Sequence, residues 1–122
     1  MTPRIERDVT VSWRHRVLFT QNIFDAENTV LRDTLADDPV GSPRKVLLVL
    51  DEALTKARPT LAREIEIYFK THSDVLNLVC APFVMEGGER TKNSYFHVSE
   101  VHSQVDRYHI DRHSYLICVG GG

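Results

Sequence analysis

The sequence predicts an α/β fold, a small parallel sheet with helices packed on it, and three observations carry that reading. Val46-Leu-Leu-Val-Leu50 is apolar on both faces, as central strands of parallel sheets are. Val75–Cys80 and Ser114–Val119 are two further apolar, partly β-branched runs of strand length. Segments with apolar residues at three- and four-residue spacing separate the three runs. From Val46 onward the order is therefore strand–helix–strand–helix–strand. Right-handed crossovers turn that order into a parallel sheet covered by helices.

Taken in order, the chain begins with Val9-Thr-Val-Ser-Trp13, which alternates, and Val17-Leu-Phe-Thr20 follows across Arg14-His-Arg16. This pair predicts a short N-terminal antiparallel hairpin or two edge strands, with Trp13 as a core or hairpin aromatic. Phe24–Ala36 predicts a helix, with Asp25 as N-cap and Leu31 and Leu35 on one face. Asp37–Pro43 is a turn-rich connector to the first parallel strand. Pro59 suits the first turn of a helix running to about Thr71, with Leu61, Ile65 and Tyr68 facing the core. The strand Val75–Cys80 leads to a loop at Gly87-Gly88. A helix over Thr91–Tyr108 follows, with Val98, Val101, Val105 and Tyr108 at core spacing. Ser114–Val119 is the last strand.

Composition narrows the function classes. Apolar residues make up 42% and charged residues 26%, ordinary values for a globular domain. A formal net charge of −2 gives no reason to expect a nucleic-acid or membrane surface. No apolar stretch approaches the roughly 20 residues of a membrane span. The charged start Met-Thr-Pro-Arg-Ile-Glu-Arg-Asp is unlike a signal peptide, so a cytoplasmic protein is expected. Cys80 and Cys118 lie in apolar runs and read as buried free thiols.

In open parallel sheets, ligands bind beyond the carboxyl ends of the strands. Three segments fall there: Asp51-Glu-Ala53, Met85–Lys92 and Gly120-Gly-Gly122. Asp51 reads equally as an acceptor for ribose hydroxyls or as a helix cap. Glu89 and Lys92, three apart, read as a clamp on a sugar or phosphate or as an ordinary surface pair. A glycine triplet straight after a strand normally opens a phosphate-cradling turn into a helix. We therefore expect the front part of a nucleotide-binding domain from a longer protein.

The six histidines do not make a metal site: His109 and His113 straddle a helix-to-strand junction, and His97 and His102 are five apart. His15 and His72 read as solvated. The chain has no nucleophile elbow and no phosphate loop ending in Gly-Lys-Ser/Thr.

Read together, Val46–Asp51, Gly88-Glu-Arg-Thr-Lys92 and Leu116-Ile-Cys-Val-Gly-Gly-Gly122 resemble the N-terminal domain of 3-dehydroquinate synthase and its wider group, the sugar-phosphate cyclases. Gly87–Asn93 and Ile110–Tyr115 look most like the dehydroquinate-synthase-like proteins of the Ebo operon. The resemblance covers about residues 45–122. It implies a Rossmann-like, NAD-binding domain occupying residues 1–122, incomplete and truncated before a C-terminal, metal-binding helical domain. It implies that Asp51 binds an NAD ribose and that Glu89 and Lys92 hold the cofactor from the second loop. Gly120, Gly121 and Gly122 would let the pyrophosphate approach the backbone. Ala53 departs from the asparagine common in dehydroquinate synthases proper, which puts that contact in doubt.

The implied chemistry is a borrowed-hydride phosphate elimination and intramolecular aldol cyclisation of a seven-carbon sugar phosphate. Zinc or a similar divalent metal would be held by the missing domain, and this chain alone would be inactive. Two other readings remain: a fragment of an iron-dependent alcohol or glycerol dehydrogenase, and a non-catalytic binding module. A sheet face left open at Gly122 leads us to expect a homo-oligomer.

Overall fold

The computed structural model describes residues 2–36, 41–88 and 94–121. The chain is α/β: a small open sheet of parallel strands with flanking helices. The elements are α1 (Val30–Leu35), β1 (Arg44–Asp51), α2 (Glu52–Ala57), α3 (Leu61–Thr71), β2 (Leu76–Leu78), β3 (Phe83–Met85), α4 (Tyr95–Arg107) and β4 (Tyr115–Val119). No helix among the described residues is long and apolar enough to cross a membrane.

β1 is the hub of the sheet, and every pairing with it is parallel. β2 lies against Arg44–Val46, β3 against Val49–Asp51, and β4 against Val46–Leu50. The β4 stretch overlaps both others, so β2 and β3 must share the opposite edge of β1. Together they form one interrupted edge, broken around Pro82, which has no N–H to give a ladder. The sequence reading placed a single strand at Val75–Cys80 and a loop after it; β3 is the additional piece. α2 is likewise additional, one and a half turns of helix begun by the cap on Asp51.

The pleat sorts the β1 side chains onto two faces. Val46, Leu48 and Leu50 point into the main core, where Leu61, Ile65, Tyr68 and Phe69 of α3 meet them with Leu35 and Leu76. Those α3 positions recur at four, three and one residues, which is one helix face. On β4, Tyr115, Ile117 and Val119 pack against this cluster while Leu116 and Cys118 alternate outward and are exposed. Cys80 is half-buried and Cys118 exposed. Both thiols are free, but neither is buried as expected: Cys118 points outward on β4 and Cys80 lies past the end of β2. α4 has no fully buried residue; Val101, Val105 and Tyr108 are half-buried and Val98 is exposed.

The N-terminal hairpin is not formed. Residues 2–20 carry no strand, every residue from Thr2 to Asn22 is exposed, and Trp13 is 88% exposed. Arg14-His-Arg16 supplies none of the turn residues a tight hairpin uses, and a lone two-stranded ribbon has no face to bury.

The first helix is also shorter than expected. Asp25 does not cap it, since its Oδ1 accepts from Glu27 N at 3.0 Å in a local turn. Asn28 governs this region instead. Its Nδ2 donates to Thr20 Oγ1 and to the carbonyls of Gln21 and Asn22, and its Oδ1 accepts from Val30 N at 3.0 Å. Such side-chain bonds compete with helix formation and delay it to Val30.

The Tyr68 hydroxyl joins this turn to the core, donating to Asn28 O at 2.9 Å and accepting from Arg32 N at 3.1 Å. His72, expected to be solvated, is buried beside Tyr68, with Nε2 3.1 Å from Ala26 O.

Candidate functional site

Parallel pairing brings the carboxyl ends of β1, β3 and β4 to one edge of the sheet. Asp51 stands opposite Met85, and Leu50 opposite Val119, so the loops after all three strands start side by side. Asp51 is the last residue of β1 and the N-cap of α2, in extended conformation, with Oδ1 accepting from Ala53 N at 3.0 Å. The cap is therefore real. It uses one carboxylate oxygen and leaves Asp51 at the strand end, beside the other two loops.

Gly87 is packed against that carboxylate. A methyl carbon placed on Gly87 would lie 2.8 Å from Asp51 Oδ2 and 2.9 Å from Oδ1, so only glycine fits without moving the acid. Gly88, next to it, has φ +94°, a conformation open to glycine and strained for other residues. Gly120 approaches from the third loop; a methyl there would lie 3.9 Å from Asp51 Oδ2. Nothing lies within 4 Å of such a position on Gly121. Asp51, Gly87 and Gly120 thus form a compact constellation from three separate loops. Glu89, Lys92 and Gly122 lie outside the described residues.

Two further groups adjoin the second loop. Glu86 follows β3, and its Oε2 is 3.8 Å from Nε2 of His97, whose ring is mostly buried at the start of α4. The His97 Nδ1 atom is buried without a hydrogen-bond partner among the described residues. Ser94 caps α4, its Oγ accepting from His97 N at 3.4 Å. Sequence pattern alone singles out neither Glu86 nor the contact of Gly87 with Asp51. The glycine pair itself was the available signal, whereas nothing local links Glu86 to His97, eleven residues later.

The described residues contain no group of three or more His, Cys, Asp or Glu side chains able to hold a metal ion. What the constellation offers chemically is a carboxylate acceptor bordered by bare backbone. That combination can accept hydroxyl hydrogen bonds while a second group passes close to the main chain. No protein-family model, no curated protein and no solved structure matches the chain.

Proposed function

We propose that this chain is the NAD-binding, Rossmann-like N-terminal part of a cytoplasmic sugar-phosphate cyclase of the 3-dehydroquinate synthase type. The observation that carries the reading is the Asp51 carboxylate at the end of the central strand, bordered by Gly87 and Gly120. The order of the sheet supports it. The chain lays its second strand position on one side of β1 and then crosses to the other side for β4. Crevices beside such reversals of strand order are where open α/β sheets bind nucleotides.

The residues present fit a dinucleotide. Asp51 keeps one oxygen on its cap and offers the other to ribose hydroxyls, while Gly120 and Gly121 leave room for close backbone approach. In this reading Glu89 and Lys92 add a charged clamp from the second loop, and Gly122 completes the turn. NAD supplies reversible hydride transfer when bound; the residues of this chain bind and orient it. A divalent metal and the sugar phosphate belong to a second domain in this proposal, so the chain by itself binds cofactor and turns nothing over.

The test is NAD titration by calorimetry on the wild-type chain and on Asp51→Asn. Asparagine caps helices about as well as aspartate, so the fold should be kept. It loses the charged acceptor, which is worth about 1.5–3 kcal/mol, or roughly ten- to a hundredfold in affinity. A wild-type chain that binds no NAD, or an Asp51→Asn chain that binds it equally well, would overturn the assignment.

A further inference from the structure

The largest unused feature of the molecule is its N-terminal arm. Ile5, Val9, Val11, Trp13, Val17, Leu18 and Phe19 are all exposed, Phe19 to 95%, on a segment with no regular structure of its own. Val9, Val11 and Trp13 keep the two-residue period of a strand with one apolar face. The arm is rooted firmly: the two Asn28 Nδ2 hydrogens, one of them shared, hold Thr20, Gln21 and Asn22, and Tyr68 ties Asn28 to the core. An ordered root thus presents an extended, strand-patterned segment to solvent.

The same molecule carries a matching acceptor. Among the described residues no strand pairs with the outer edge of β2. The ladder bonds Arg44 N to Val75 O and Val79 N to Val46 O use the inner edge, so the alternate Leu78 backbone groups face outward. A groove of about 520 Å³ runs beside that edge, lined by Glu66, Phe69, Lys70, Leu76, Leu78 and Cys80. The overall charge of the two parts favours the match, while Glu66 and Lys70 balance within the groove. Up to Thr20 the chain has four arginines against two acids, a formal +2, so its net −2 leaves −4 on the remainder.

We propose that residues Val9–Trp13 of one copy pair as a β-strand with the outer edge of β2 in a second copy. Val9, Val11 and Trp13 then lie in the groove between β2 and α3. Two copies exchange arms reciprocally, which closes the assembly at a dimer. Strand addition of this kind takes affinity from main-chain bonds and register from alternate side chains.

Trp13 is the single tryptophan, so its emission reports directly on the arm. Light scattering and fluorescence on the full chain across a concentration series should show a rise from 14.0 kDa to twice that mass, with a parallel blue shift. Val11→Pro, which removes an N–H from the arm and touches no core residue, should weaken dimerisation by about tenfold or more. Val11→Cys under mild oxidation should form an intermolecular disulfide with the native Cys80 of the groove.

A monomer at every concentration with solvent-exposed Trp13 emission would overturn the proposal. So would a blue shift at constant monomer mass, which means the arm folds onto its own chain. Mass growing beyond two copies would mean open-ended association. A disulfide to Cys118, or between two introduced thiols, would place the arm elsewhere and refute the groove.

Discussion

Replacing Gly87 by alanine probes the contact on which the site rests. The added methyl would stand 2.8 Å from Asp51 Oδ2, so either the backbone or the carboxylate must shift. Gly87 does not have positive φ, so alanine is not strained there for other reasons. The carboxylate is the easier group to move, and moving it breaks its 3.0 Å bond from Ala53 N. Loss of such a cap costs about 1 kcal/mol. Alanine also restricts the unfolded chain and returns about 0.4–1 kcal/mol, so the net effect of the single change is small.

A double-mutant cycle separates the two effects. In an Asp51→Ala background the cap is already lost and the methyl has room, so Gly87→Ala becomes neutral or stabilising. The coupling between the positions should be about 1 kcal/mol. Urea unfolding followed by far-UV circular dichroism measures it, since the exposed Trp13 says little about the core. Coupling below about 0.3 kcal/mol would mean that the carboxylate does not lie against Gly87. The three-loop constellation would then be wrong.

Other parts of the structure give equally definite outcomes. Tyr68→Phe removes the hydroxyl shared by Asn28 O and Arg32 N and should cost about 1–3 kcal/mol in urea unfolding. Burial pushes the Tyr68 hydroxyl above its ordinary pKa of 10.0, so its contribution holds below that pH and is lost as pH rises through the higher folded value. In an ultraviolet titration, Tyr68→Phe should delete the late-ionising component of the four tyrosines. Ile65→Ala empties a fully buried position against β1 and should cost about 2–5 kcal/mol, read from the urea midpoint.

Among the described residues, two carboxylates contribute to the acid limb of stability. Arg32 and then Thr29 hydrogen-bond Asp33, while the His113 backbone amide and then the Ser114 hydroxyl hold Asp111; both acids are pulled below 3.8. Their contributions are present above about 3.8 and disappear as pH falls through the lower folded values. Asp111→Asn should therefore flatten the fall in the urea midpoint below pH 4. An unchanged acid limb would show that Asp111 carries no pH-linked stability.

Local pattern settled the strands β1, β2 and β4 and the helices α3 and α4, but neither α2 nor β3. Val46–Leu50 is apolar on both faces because it is the central strand, and Leu61, Ile65 and Tyr68 share a face because 3.6-residue periodicity is a property of the helix itself. The same strand ends marked Asp51 and Gly120 as neighbours, because parallel strands bring their carboxyl ends to one edge. Tertiary structure decided the rest. Asn28 shortens the first helix through bonds to Thr20, Gln21 and Asn22, and nothing in the spacing of Leu31 and Leu35 foretells them. His72 is buried because Ala26, 46 residues earlier, meets its ring. The alternation at Val9–Trp13 signals a strand, but alternation records only a preference for a pleated, half-buried surface. Whether that surface exists depends on a partner edge, which no local pattern encodes.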